Sequence, residues 1–288
     1  MSAQPRRGAA RRAASTAAAR PRLWLYGSLV ALAAFYALPV FLLVLTSVKP
    51  FEEVSLSRMW DLPRGVSVAS FGRAWEVMRA SFANSLLMVI PATVGSCLLG
   101  SLNGYVLAKW RFRGADGLFA ALLLGMFIPY QSVLIPLVEV LRRLHLYGSL
   151  PGLGLVHVVY GIPITTLLFR NYYAGVPTEV VEAGKIDGAG FIGIYRYLVF
   201  PLSTPGFVVA AIWQFTSIWN EFLFGFIITS SPAQRPVTVA LQNLSGSQYT
   251  QWNVQMAGAL LVALPTLLVY VLLGRYFLRG LLAGSLKG

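Results

Sequence analysis

One cysteine and two histidines are all the soft metal-ligating material in this 288-residue sequence. Cys97 alone excludes an internal disulfide and any cysteine cluster for zinc or iron–sulfur, and His145 with His157 is too little for a metal site. Charge is scarce as well. Only 11% of residues are charged, against roughly 25% in an ordinary soluble domain. Such a supply cannot coat a water-facing globule of this size, and with 57% hydrophobic residues the surface needs lipid as its solvent. Disorder is excluded by 17 Phe, 13 Tyr and 7 Trp. The net charge of +13 does not argue for nucleic acid, because the cations cluster beside apolar runs rather than along one basic face.

Six charge-free runs are present: Leu23–Val48, Ala80–Ala108, Gly117–Val138, Leu144–Phe169, Tyr197–Asn220 and Met256–Leu273. A helix of ~20 apolar residues crosses ~30 Å of hydrocarbon, so each is long enough. Barrel strands would alternate polar and apolar residues, and these runs do not. The expectation is an all-α integral membrane protein with six transmembrane helices and both termini on one side. Fifteen of the 23 Lys and Arg fall on that side and eight on the other, which places both termini in the cytoplasm. The expected organisation is a disordered basic tail over 1–22, a membrane domain over 23–280 and a C-terminal tail over 281–288. The basic tail also has the composition of a transit peptide, and Arg6-Arg7 suits a twin-arginine signal, but the first apolar run is too long for a signal core. The outer segment Lys49–Ser81 has room for an interfacial helix around Phe71–Arg79. Pro39, Pro91, Pro129, Pro136, Pro163 and Pro265 lie inside the runs, where each removes a backbone donor and bends its helix. Gly100 and Gly104 form a small-xxx-small pair suited to close helix contact.

The most informative stretch is the loop 176–205, VPTEVVEAGKIDGAGFIGIYRYLVFPLSTP. Pro177 and Thr178 suit a helix start, with Thr178 able to cap and Glu179 and Glu182 favouring the positive helix end. Gly188 and Gly190 break that helix, and Phe191–Phe200 forms a second one ending at Pro201. The product is a helix–turn–helix exposing Glu182, Lys185 and Asp187; an amphipathic connector at the lipid interface is the plainer alternative. The spacing resembles the EAA motif of ABC-importer permeases: Glu-Ala-Ala, three residues, Gly, nine residues, Ile-x-Leu-Pro. Here it reads Glu182-Ala183-Gly184, Lys185-Ile186-Asp187, Gly188, then nine residues and Leu198-Val199-Phe200-Pro201. Gly184 replaces the second Ala, an exchange expected to loosen the first helix by up to ~1 kcal/mol.

The chain is similar over roughly 71–288 to the carbohydrate branch, the maltose-type G permeases of binding-protein-dependent transport systems. Supporting segments are Asn84-Ser85, Arg111-Phe112-Arg113-Gly114, Ile128-Pro129, Ile135-Pro136, Ile186-Asp187-Gly188-Ala189, Trp219-Asn220-Glu221-Phe222 and the ending 280–288. The resemblance implies an ABC type I importer permease fold. It implies a coupling role for Glu182, Ala183, Gly184, Lys185, Asp187 and Gly188 against a partner ATPase dimer, with Glu182 facing a basic residue of the ATPase. It also implies a second permease subunit, an extracytoplasmic sugar-binding protein, and ATP and Mg used by the ATPase and not bound by this chain.

Glu221 interrupts the fifth run, whose apolar residues resume through Thr229, and is the one acid or base well inside an expected span; lipid exposure of such a charge costs several kcal/mol. It should therefore face the interior, water or a partner. Asn84, Gln131, Trp219, Asn220 and Glu221 are candidates for lining a sugar pathway, and packing between helices is the competing reading for each. Leu244–Gln248 resembles an ABC ATPase signature but falls in an outer loop, and Gly280–Lys287 lacks phosphate-loop spacing. With no triad or carboxylate pair, the chain reads as non-catalytic. A proton-coupled secondary transporter using Glu221 is the alternative function, though such proteins usually carry internal repeats and further ionisable groups. A membrane scaffold would have no need of the loop spacing.

Overall fold

The structure, a computed structural model, describes residues 7–110, 112–245 and 251–285, with side chains over 23–110, 112–245 and 251–276. In chain order the helices are α1 (Arg7–Ser47), α2 (Ala69–Lys109), α3 (Ala115–Met126), α4 (Tyr130–Arg143), α5 (Leu150–Ala174), α6 (Thr178–Ile186), α7 (Phe191–Leu202), α8 (Thr204–Asn220), α9 (Leu223–Ile228), α10 (Val237–Leu244) and α11 (Trp252–Ser285). No strand occurs among the described residues. Among the described residues four helices are long and apolar enough to cross a membrane, and the number is up to six when each of two bent pairs counts as one span. The chain is thus an all-α integral membrane protein.

The centre is α2 against α5. Half of α2's most apolar stretch and 44% of α5's are buried, against 6% for α1 and 17% for α11, which form the periphery. The close approach is made by the glycine pair. A Cβ on Gly100 would lie 2.1 Å from Thr165 Oγ1, and one on Gly104 would lie 2.7 Å from the Arg170 backbone nitrogen. Thr165 Oγ1 also donates across the pair to Ser96 O at 2.9 Å. Two apolar clusters sit at opposite ends of this pair. One gathers Met78, Phe82, Leu153, Ile218, Trp219 and Ile228. The other gathers Tyr105, Phe169, Tyr173, Val181, Ile194 and Val199 beneath the loop after α5.

Several boundaries differ from the sequence expectation. The helix of α1 begins at Arg7 and so takes in 7–22, the stretch expected as a basic tail; alanine, the strongest helix former, supplies seven of those residues. Residues 1–6 lie outside the described residues, as do Arg111 and 286–288 of the expected C-terminal tail, whose remainder continues α11. Phe71–Arg79 is no separate interfacial helix but the first turns of α2, which runs unbroken for 41 residues through Pro91. The expected third span is a pair bent by 92° between α3 and α4, and the fifth follows a 77° bend between α7 and α8. At the first bend Pro129 takes φ −57°, ψ 119°, and the steric demand of its ring keeps Ile128 from continuing α3. At the second, Ser203 falls between Pro201 and Pro205, so α7 passes through Pro201 before the chain turns.

Candidate functional site

The loop after α5 folds as an elbow. Lys109, at the end of α2, donates from Nζ to Val176 O and anchors its near end. The helix α6 starts behind Pro177, with Thr178 inside its first turn rather than capping it: no side chain caps this end. Its last turn closes through Asp187 N to Ala183 O at 3.0 Å, Gly188 N to Lys185 O at 3.1 Å and Ala189 N to Gly184 O at 2.9 Å. Gly188 has φ +79°, the left-handed conformation that only glycine adopts freely, and so makes the turn into α7. One face of α6 is fixed by Val181 and Gly184, both buried. Gly184 is a packing residue: a Cβ there would lie 2.7 Å from Leu198 Cδ1 and 3.1 Å from Ile194 Cγ1. The expected loosening at Gly184 is therefore offset by a closer contact between the arms.

The other face is open. Glu182, Ala183, Lys185, Asp187 and Gly188 are exposed, and Ile186 at the tip is 85% exposed. Lys185 Nζ sits 4.6 Å from the centroid of the Trp110 ring, which ties the elbow to the end of α2 by a cation–π contact. Within α7, Tyr195–Val199 is a π-helical turn. Its first residue donates or accepts through Tyr195 OH with Ser101 Oγ at 2.9 Å, and the same Ser101 Oγ pairs with Tyr173 OH at 2.6 Å. The exposed Ile186 and this three-hydroxyl cluster escaped sequence reasoning. The first is one apolar residue in a polar turn, and the second draws one residue from each of three distant segments.

Three of the five interior candidates, Trp219, Asn220 and Glu221, are consecutive at the end of α8, while Asn84 lies on α2 and Gln131 on α4. Glu221 breaks the helix after α8 with ψ 133° and caps α9: its carboxylate accepts from Phe224 N at 2.8 Å and Gly225 N at 3.3 Å. Its Oε2 lies 3.9 Å from His157 Nε2, and Thr238 Oγ1 donates to its carbonyl at 2.8 Å. Trp219 is a core residue, 1% exposed, with Nε1 donating to Val262 O at 2.9 Å and its ring stacked on Phe215 at 5.8 Å. It offers no free face to a pathway in this conformation. Asn84 Nδ2 donates to Ala233 O at 2.8 Å and Arg235 O at 3.1 Å, holding the turn after α9 against the head of α2. Asn220 is exposed and donates to Thr216 O at 2.8 Å, and Gln131 is exposed beside the 92° bend. Among the described residues no hydrogen bond joins any two of the five. Of the outer-loop decoy, Leu244 ends α10, and 246–248 lies outside the described residues.

The fold is that of a helical membrane bundle with an exposed, glycine-turned elbow, an arrangement suited to a membrane transport component. Comparison with known proteins agrees. The family described as binding-protein-dependent transport system inner membrane component matches residues 98–282. A protein of Pyrococcus horikoshii named as a probable ABC transporter permease is 47% identical over 93% of this chain and 98% of its own length. The xylose/arabinose import permease XacI of Haloferax volcanii is 38% identical, over 89% of this chain and 90% of its own. The solved structure of a bacterial ABC transporter that imports the acidic polysaccharide alginate contains a chain with the same fold, at TM-score 0.74 and 20% identity, covering 96% of this chain and all of that one. The chain belongs to the family of binding-protein-dependent transport system inner membrane components. It is accordingly a non-catalytic ABC permease subunit of the inner membrane.

Proposed function

We propose that this chain is one permease subunit of an ATP-driven sugar importer, forming half of the translocation pathway and coupled through 176–205 to a separate ATPase. The sugar assignment is supported by relatives named for xylose and arabinose, glucose and alpha-glucoside import. The observation that carries the coupling role is the elbow itself. Its inner face is locked by Val181 and Gly184, while Glu182, Lys185, Ile186 and Asp187 project outward as a compact charged and apolar tip. A lipid-lying connector would present an apolar face with charges opposite; this tip mixes them, as a protein-binding surface does. The elbow faces the cytoplasm, where an ATPase dimer receives it and uses ATP and Mg. A second permease completes the pathway, and an extracytoplasmic sugar-binding protein delivers substrate.

Energy enters because ATP changes the relative stability of two packings of the bundle. Charge reversal at the tip tests the docking. Glu182→Lys is expected to insert normally into the membrane but to lower ATPase co-purification and binding-protein-stimulated ATP hydrolysis at least tenfold. Hydrolysis and co-purification at unmodified levels would overturn the coupling assignment.

A further inference from the structure

We infer that Ser101, Tyr173 and Tyr195 are positioning residues that make the elbow and the adjoining ends of α2 and α5 move as one piece. This rests on the elbow being the ATPase-coupling element and goes beyond it by naming what carries the displacement into the membrane. Ser101 Oγ on α2 is the shared atom of two hydrogen bonds, to Tyr173 OH of α5 at 2.6 Å and to Tyr195 OH of α7 at 2.9 Å. Ser101 and Tyr173 are completely buried. Tyr195 is half-buried, and burial leaves the Ser101 and Tyr173 hydroxyls little water to exchange partners with, so parting α2 from α5 or α7 here breaks a hydrogen bond that solvent does not readily replace.

The surroundings make this joint stiff on one side and loose on the other. From the exposed tip inward, Lys185 stands over the Trp110 ring at 4.6 Å. Trp110 packs on Phe191 at 5.2 Å, and Tyr105 packs on Phe191 at 5.1 Å and on Tyr195 at 5.4 Å. Contacts thus run without a gap from the elbow tip to Ser101. Tyr195 opens the π-helical turn, a widened turn often found where a helix serves a function. Beyond it the chain bends by 77° about Ser203, which is flanked by Pro201 and Pro205, two residues without an N–H to donate, and a pivot is available there. A push on the elbow is therefore delivered to α2 and α5 through the hydroxyls, while α8 swings at the bend. A discrete joint of this kind is what distinguishes coupling from mere proximity.

The test uses the complete complex, with the partner permease and ATPase, in lipid nanodiscs, and follows hydrogen–deuterium exchange with and without ATP plus vanadate. In the unmodified complex both the elbow (176–190) and the α2 segment 96–110 are expected to change exchange on nucleotide trapping. Tyr195→Phe and Ser101→Ala should leave the elbow response intact and reduce the α2 response at least threefold. Tyr172→Phe removes a hydroxyl bond to Leu202 O at 2.8 Å outside the trio and should leave both responses unchanged, so general loosening is controlled. If one trio variant fails to assemble, Tyr173→Phe carries the same comparison. An undiminished α2 response in the variants overturns the joint while leaving the elbow's docking role standing. An elbow that never responds in the unmodified complex defeats the coupling reading itself.

Discussion

Gly184 stands where the related motif has alanine, and its neighbour Leu198 stands where that motif has isoleucine. The two departures meet in space: a Cβ on residue 184 would lie 2.7 Å from Leu198 Cδ1. Overpacking of this kind costs about 1–3 kcal/mol, and isoleucine, branched one atom closer to the backbone, places its methyls differently. Gly184→Ala is therefore expected to lower the thermal midpoint of the permease, and Gly184→Ala with Leu198→Ile to recover most of the loss. The double-mutant cycle should show a coupling of at least ~0.5 kcal/mol; additive effects would mean that the exchanges are unrelated. Glu221 shows the opposite lesson. Its charge inside an apolar run was legible, and so was its need for an interior partner, but its role as the cap of α9 was not, because nothing in the sequence marks a six-residue helix starting after it. Glu221→Leu, which leaves the Phe224 and Gly225 amides unpaired, is expected to destabilise by about 1–2 kcal/mol. Glu221→Gln retains one acceptor oxygen and should be milder; equal thermal midpoints for the two would contradict the capping role.

Helix pairing follows from small residues more than from prolines. Of Pro39, Pro91, Pro129, Pro136, Pro163 and Pro265, only Pro129 stands at one of the two sharp bends, while Pro91, Pro163 and Pro265 lie within continuous helices. A missing donor is tolerated in a membrane helix when neighbouring groups absorb it, so proline position alone was a poor guide to breaks. The second bend, at Ser203, lies between two prolines at the edge of a run and had to be seen in three dimensions. The Gly100 and Gly104 pair, in contrast, was readable as a contact face and is one. At Gly104 the obstruction to a Cβ includes backbone, Arg170 N at 2.7 Å and Phe169 C at 2.9 Å, which no rotamer change relieves. Gly104→Ala should therefore force α2 and α5 apart and lower the melting temperature measured in detergent, with Gly104→Leu preventing assembly. Gly72→Ala, where nothing lies within 4 Å, is the neutral control in the same helix. Equal behaviour of the Gly72 and Gly104 variants would show that this interface does not hold the bundle.

At the scale of the whole molecule, the energy source decides between an ATP-driven permease subunit and a proton-coupled carrier. A carrier needs an ionisable group that can release its proton to either side. Glu221, the residue such a mechanism would use, has its carboxylate engaged by two backbone amides as the cap of α9 and lies 3.9 Å from His157. The peripheral α1, only 6% buried along its apolar stretch, leaves a broad apolar surface on this chain by itself. In lipid that surface is satisfied; under the proposed function this subunit forms half of the translocation pathway and a second permease the other half. Transport should thus require a second permease as well as an ATPase. Proteoliposomes holding this chain alone are expected to show no uptake of xylose or glucose under an imposed pH gradient. Vesicles holding the full complex, with its sugar-binding protein on the outer side and ATP within, should accumulate the sugar that the binding protein recognises. Addition of a protonophore should leave that accumulation intact, and removal of ATP should abolish it. Uptake by the isolated chain driven by the gradient would replace the coupled-motor mechanism with a secondary one.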